Sequence, residues 1–442
     1  MLIRFGVENH NSLRNYQELL LTAGPFKEPA FSLLASADTR VGLVPAVAVY
    51  GANAAGKSTV LAAMTFMRNV IVESHKYGNA SGGTPYAPFA LDSTSRSRSS
   101  KYDIDFELDD TRFHYGFRID GKSVNEEWLF ATLLTKRRRT KQTWFHRSDA
   151  FDGIYFGKAL RGENKTIERM VRSNSLFLSA AAQNAHPQLS KIHEYFDKQV
   201  LSVGSLPRTL SLSAKVAAFF KENHQLEERA IDFLRMADTG IAGIKYKSAV
   251  PDQRLCASLS AVTGTPSFGV SEAISGMAAG QSTMETVLLH KGEKGSYFEL
   301  PLETESTGTK ALLAAIGEIV QKLQTGGVLL VDELSNALHP LMSRKIVQLF
   351  SDPTVNTGKA QLIFSTHDTN LLCGGLFRRD QIWFAEKDRE GATHLYPLTD
   401  IEVDKRDNLE KGYLQGRFGA VPFFSDIDEQ WVSKEDFADK EN

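Results

Sequence analysis

A short run near the N-terminus holds residue types that could bind phosphate. Gly51-Ala52-Asn53-Ala54-Ala55-Gly56-Lys57-Ser58 matches GxxxxGK[ST] at each specified position, the pattern of a phosphate-binding loop. Its backbone N–H groups can converge on phosphate oxygens while a following helix aims its positive end at them. Lys57 adds a charge at the β/γ bridge of a nucleoside triphosphate, and Ser58 offers a hydroxyl to magnesium. The expected cofactors are ATP and Mg2+, with Gly51, Asn53, Ala54, Ala55, Gly56, Lys57, Ser58 and Thr59 as nucleotide contacts.

A triphosphate-splitting site also needs carboxylates at the end of a neighbouring strand. VLLVDE supplies Asp332 and Glu333 after an apolar run. Asp332 is expected to hold magnesium, directly or through water, and Glu333 to polarise the attacking water. An acidic strand end is ambiguous alone; beside a phosphate loop it points to catalysis. QLIFST ends in His367-Asp368, at the strand end where α/β folds bind ligands. His367 could contact the γ-phosphate or the attacking water, although a lone histidine is more often structural.

The elements around these residues have the required order. VPAVAVY is an apolar, β-branched run that leads into glycine, and STVLAAMTFMRNVIVES after the loop has apolar residues at helical spacing. LIRFGVEN and YQELLLTA read as earlier strands. Residues 79–100, rich in Ser, Gly, Thr and Pro, read as an exposed connection. KYDIDFEL, RFHYGFRI, VNEEWLFATLL and QTWFHR then predict an antiparallel β subdomain. From 188 to 300 the signal is mixed, with helical stretches and no sustained heptads. The last third returns to an α/β rhythm: TKALLAAIGEIVQKLQ as helix, VLLVDE as strand, LMSRKIVQLF as helix, QLIFST and QIWFAEKD as strands.

The 442 residues carry a net charge of −2 and a pI near 6.6, so attraction to nucleic acid or anionic membrane would have to come from a local patch. Lys136-Arg137-Arg138-Arg139, with Lys141 nearby, is such a patch; it could meet nucleic-acid phosphates, but a solvated hairpin turn is the commoner reading. Cys256 and Cys373 have no zinc-like spacing and do not form a disulfide framework. No apolar run approaches the ~20 residues of a membrane span, and the start lacks a signal peptide's apolar stretch. A cytoplasmic protein without membrane contact is expected.

The order of phosphate loop, acidic strand, helix, strand and histidine resembles the ABC-type ATPases. The GxNxxGKS form with Asn53 is similar to the branch containing SMC, RecF and OLD proteins. In that branch a serine-glycine signature precedes the acidic strand by a helix, and Glu305-Ser306-Thr307-Gly308-Thr309 stands in that place. The resemblance makes Ser306 and Gly308 nucleotide contacts; a capped helix start is the plainer reading of Ser306. Ser335-Asn336-Ala337-Leu338-His339-Pro340 resembles the loop that follows the acidic pair and helps form a dimer, or is a plain turn. IRFGVENHNSL, SLFLSAAAQNAHPQL, DELSNALHP, FSTHD, RRDQIWFAEKD and NLEKGYLQGRFGAVP resemble a narrower group, the AAA-type, ABC-like ATPases of prokaryotic anti-phage defence loci, including AriA of the PARIS system and RloA-type proteins.

The resemblance implies an α/β fold with an ABC-type P-loop ATPase core at 1–88 and 295–442, an antiparallel β subdomain at 89–160 and a mostly helical insertion at 161–294. It also implies a homo-oligomer, dimer or higher, whose ATP sites are composite: the loop of one chain and the signature of another enclose one nucleotide. No second chemistry is visible, because Asp103 and Asp105, and Asp426 and Asp428, lack the surrounding carboxylates of a two-metal nuclease. The preferred expectation is an ATPase that senses infection, through a phage-derived trigger, and regulates a separate effector protein. The alternative is a RecF- or SMC-like DNA-binding ATPase of repair or recombination.

Overall fold

The computed structural model describes residues 1–25, 33–38, 42–76, 79, 81–134, 139–148, 153–203, 212–236, 239–249, 283–336, 338–404 and 407–422. The chain opens with strands β1 (Leu2–Glu8) and β2 (Gln17–Leu20). Strand β3 (Ala46–Tyr50) then runs through the glycine-rich loop into helix α1 (Lys57–Glu73). Five strands follow: β4 (Ser100–Leu108), β5 (Thr111–Ile119), β6 (Val124–Leu133), β7 (Lys141–Arg147) and β8 (Ile154–Phe156). After short helices come β9 (Val200–Ser202), helices at Leu212–Glu222 and His224–Met236, and strands β10 (Ile241–Ala249), β11 (Thr283–Lys291) and β12 (Tyr297–Pro301). The last third holds α2 (Thr307–Thr325), β13 (Val328–Val331), α3 (Pro340–Ser351), β14 (Gln361–Ser365), β15 (Ile382–Lys387), β16 (Thr393–Pro397) and α4 (Leu409–Leu414).

The fold is α/β, as expected. Among the described residues a six-stranded sheet has the order β9-β13-β14-β3-β15-β16, parallel except for β16. A seven-stranded antiparallel sheet has the order β8-β7-β6-β5-β4-β1-β2. The parallel strands are apolar on both faces because both are covered. Val47, Val49, Leu330, Ile363 and Trp383 share a core with α1 and the inner face of the antiparallel sheet. Ala46, Ala48, Tyr50, Leu329, Phe364 and Phe384 pack in a second core with α2, α3 and the helices at 212–236. Helix α1 lies between the two sheets: Val60, Leu61, Met64, Met67, Val70 and Ile71, its predicted apolar positions, are all buried.

Two expected boundaries divide the chain differently from its hydrogen bonds. Strands β1 and β2 lie in the 1–88 segment, yet β1 pairs with β4, so they complete the antiparallel sheet. The 161–294 segment has five described α-helices, but its strands β10 and β11 join β12 in a three-stranded antiparallel sheet. Cys256, Lys136 to Arg138, and Asp426 and Asp428 lie outside the described residues. No described helix is long and apolar enough to cross a membrane.

Candidate nucleotide site

Parallel β3 and β14 bring their C-terminal ends to one edge of the sheet, and the loop between β3 and α1 lies along that edge. The loop is held by backbone conformations that favour glycine. Gly51 has φ 156° and Gly56 has φ 106°. An added Cβ at Gly51 would lie 2.4 Å from the Ala385 carbonyl oxygen, and one at Gly56 only 2.1 Å from Thr393 Oγ1. Ala54 is left-handed as well, at φ 62°. Gly56 starts α1 without a side-chain cap; the Thr59 N–H donates to the Gly56 carbonyl oxygen at 3.0 Å, while those of Lys57 and Ser58 are available to an anion.

Lys57 is buried, and its Nζ donates to the carbonyl oxygens of Gly51 and Ala52, each at 3.0 Å. Burial lowers its pKa from 10.5, while Glu333 and Asp332 pull it the other way. Ser58 Oγ donates to Asp332 Oδ1 at 2.9 Å, and Ser365 Oγ donates to the same oxygen at 2.5 Å. The Glu333 N–H donates to Ser365 Oγ at 2.7 Å. Ser365, at the end of β14, thus aligns both acidic residues.

Glu333 adopts φ 52°, outside the usual range for a side chain of its kind. Its exposed carboxylate lines an open cleft of ≈ 580 Å³ with Asn53, Lys57, Ser58, His367 and Lys387. No hydrogen bond or ion pair to another described residue engages that carboxylate. His367 is held neutral more firmly than an ordinary histidine, first by its partial burial and then by the Lys57 charge. The two following loops are tied together: the Ser335 and Thr366 hydroxyls lie 2.9 Å apart, and the Asp368 N–H donates to Thr366 Oγ1 at 3.0 Å.

The cleft therefore gathers Asn53, Ala54, Gly56, Lys57, Ser58, Thr59, Glu333 and His367, with Asp332 bonded to Ser58. Ser306 and Gly308 are not among its lining residues. Ser306 is exposed and caps α2, its Oγ accepting from the Thr309 N–H at 3.1 Å; the capped-helix reading describes it within one chain. His339 caps α3, its Nδ1 accepting from the Leu341 N–H. Sequence reasoning missed Ser365, Thr393, Asn11, Ser12 and Lys387. Asn11 and Ser12 stood inside the resembling opening stretch and Lys387 inside RRDQIWFAEKD, but no local spacing assigns them a role.

Ser58 and Asp332 offer a hydroxyl and a carboxylate oxygen at adjacent positions, hard ligands of the kind magnesium takes alongside phosphates and water. Among the described residues no group of three or more His, Cys, Asp and Glu could hold a metal, so these two would share magnesium with the nucleotide. Of the basic cluster, Arg139 pairs with Asp38 at 2.5 Å and Lys141 Nζ lies 3.8 Å from the Phe130 ring centroid.

Residues 46–373 match the family model described as "AAA domain, putative AbiEii toxin, Type IV TA system". No curated protein matches the chain. Among solved structures, the SMC head domain from Thermotoga maritima is similar at 12% identity and TM-score 0.39, over 91% of this chain and 99% of that one. An SmcHead bound to the C-winged helix domain of ScpA is similar at 15% identity and TM-score 0.37, over 90% and 97%. An Smc head with an extended coiled coil, bound to the C-terminal domain of ScpA derived from Pyrococcus furiosus, gives 12% identity and TM-score 0.36, over 90% and 96%.

Proposed function

The chain belongs to this AAA-domain family, and from that premise we propose that it is an ABC-like ATPase, hydrolysing ATP to ADP and phosphate. The observation that carries the reading is the junction of Ser58, Asp332 and Ser365, with the unpartnered Glu333 carboxylate beside it. The loop and the start of α1 bind the phosphates. Lys57 exchanges the Gly51 and Ala52 carbonyls for β/γ-phosphate oxygens. Ser58 and Asp332 would hold magnesium, which would supply charge neutralisation at the phosphates. Glu333 accepts a proton from the attacking water, and neutral His367 donates to the γ-phosphate or positions that water.

The cleft is open on one side, and Ser306 and Gly308 do not line it. They serve the nucleotide of a second chain, so ATP closes a homodimer with composite sites and hydrolysis releases it. The finer reading, control of a separate effector in anti-phage defence by an infection-derived trigger, is supported by the resembling sequence stretches and by the family description.

Lys57→Ala tests the nucleotide claim. ATP affinity should fall by roughly a hundredfold, because charge-assisted contacts to phosphate are worth about 1.5–3 kcal/mol each and the loop geometry depends on this one. Equal ATP binding by a folded Lys57→Ala protein, measured by equilibrium titration, would remove the reading. Ser306→Arg tests the second chain: ATP should still bind, while hydrolysis stops at every protein concentration. Full hydrolysis by that variant would leave the single-chain site sufficient.

A further inference from the structure

One cation in the cleft comes from neither the phosphate loop nor the acidic strand. Lys387 is the last residue of β15; it is exposed and lines the cleft. Its side chain makes no hydrogen bond or ion pair with another described residue. Its neighbours do: Arg14 is held by Asp388 and Glu390, and Lys57 by two loop carbonyls.

Strand pairing fixes the direction of the Lys387 side chain. Lys387 stands opposite Thr393 in the antiparallel β15–β16 pair, and residues directly opposite project from the same face. That face is the one against the phosphate loop. Thr393 Oγ1 donates to the Ala55 carbonyl oxygen at 2.9 Å and lies 2.8 Å from Ser12 Oγ, and it is the atom an added Cβ on Gly56 would strike. On its other side β15 runs parallel to β3, with Phe384 beside Tyr50. Beyond that pair β3 gives way to the loop, and Lys387 lines the cleft together with Asn53, Lys57, Ser58, Glu333 and His367.

We propose that Lys387 is a second nucleotide-binding cation, supplied by β15 and directed at the β/γ end of the triphosphate. The proposal rests on the ATP reading above. Lys57 approaches from the loop itself, whereas Lys387 approaches from the neighbouring strand, so the two embrace the terminal phosphates from different sides. A cation there binds ATP in preference to ADP, because the charge it faces leaves with the γ-phosphate. Lys387 thus favours release after hydrolysis and makes the site selective for the triphosphate.

The test is equilibrium titration of the full chain with fluorescent ATP and ADP analogues in magnesium, for wild type, Lys387→Met and Lys387→Arg. Because Lys387 is exposed, both variants should melt like wild type. Lys387→Met should weaken ATP roughly tenfold, the scale of one charge-assisted contact, and ADP by clearly less. Lys387→Arg should recover most of the loss, since it restores the charge. Unchanged ATP affinity in Lys387→Met, or equal losses for ATP and ADP, overturns the assignment while leaving the ATP reading intact. If Lys57→Ala binds ATP as wild type does, the ATP reading fails and takes this assignment with it.

Discussion

The buried carboxylates of the antiparallel sheet and the Glu333 carboxylate at the end of β13 are treated in opposite ways. In the antiparallel sheet Asp103 is buried and takes Tyr16 Oη at 2.9 Å, Arg4 at 2.8 Å and Lys101 at 3.3 Å. Asp105 is bonded by Arg4, Arg112 and His114; burial alone would raise its pKa, but the hydrogen bonds from His114 and Arg112 win and hold it well below the usual carboxylate range. Glu127 accepts from Tyr115 Oη and from the Phe177 and Leu178 N–H groups, and burial still raises its pKa. In the parallel sheet, Asp332 and Glu333 stand exposed at a strand end, and the Glu333 carboxylate has no partner within the described chain. A carboxylate satisfied by its own chain builds the fold; one left open at a strand end is available to a ligand.

Backbone conformation adds a further contrast between a hairpin turn and the cleft. Asp109 and Asp110 both have positive φ, but they form the two-residue turn between β4 and β5, where such angles are usual. Glu333 and Ala54 have positive φ without a hairpin to require it, at the residues that face the cleft. Glu333→Gln should therefore separate activity from stability most strongly. Turnover should drop by about a hundredfold or more, the scale of a lost general base, while ATP still binds and accumulates in the closed dimer. The melting temperature should stay near that of wild type, because no partner is lost. Normal turnover in this variant would deprive Glu333 of its role, and a large drop in melting temperature would erase the contrast between the sheets.

The phosphate loop and the antiparallel sheet each contain a glycine that admits no side chain, and the same substitution should have different consequences. Gly56→Ala places a Cβ against Thr393 at a φ that alanine rarely adopts, so the loop must deform; ATP affinity should fall about tenfold or more, with direct loss of phosphate contacts. Gly116→Ala places a Cβ 2.4 Å from Trp128 Cζ2 on the antiparallel sheet. Its cost should appear as about 1–3 kcal/mol of unfolding free energy, with ATP affinity unchanged. Nucleotide titration and denaturant unfolding of both proteins check the pair. Loss of ATP binding in Gly116→Ala comparable to that in Gly56→Ala would mean that the antiparallel sheet is part of the site.

The candidate site was legible where its segments are local. The loop, the acidic strand and the histidine strand each announce themselves within about ten residues, and the periodicity around them places them on β3, β13, β14 and α1. What was not legible depends on pairing between distant segments. Nothing in LIRFGVE says that it will pair with SKYDIDFEL, so a boundary at residue 88 assigns β1 to the ATPase core, whereas it pairs with β4 in the antiparallel sheet. IAGIKYKSA and TMETVLLHK lie in a stretch dominated by helical patterns, and only their mutual pairing makes them a sheet. Ser365, Thr393 and Lys387 are common residues whose place at or beside the cleft comes from the strands beside them. Ser306 shows the reverse: its resemblance suggested a nucleotide contact, while within one chain it caps a helix.

The smallest expected effect sharpens the comparison from the structural side. His10 follows β1 and is buried, with Nδ1 2.8 Å from Tyr102 Oη and its ring 5.1 Å from that of Phe66. Burial lowers its pKa from 6.5 to about 4. The unfolded chain therefore binds this proton more readily than the folded one, so stability rises with pH between those values and is lost as pH falls from 6.5 towards 4. At pH 5 the loss from this residue should be about 2 kcal/mol. The depressed Asp105 also costs stability in acid, but only below the ordinary carboxylate value of 3.8, so the two windows are separate. His10→Gln removes the first titration and keeps the second. Whatever the substitution costs at neutral pH, the gap between wild type and variant should shrink by about 2 kcal/mol when urea unfolding is repeated at pH 5 instead of pH 7.5. A gap that does not change with pH would show that His10 titrates alike in both states, and that this face of the antiparallel sheet admits water as freely as the cleft does.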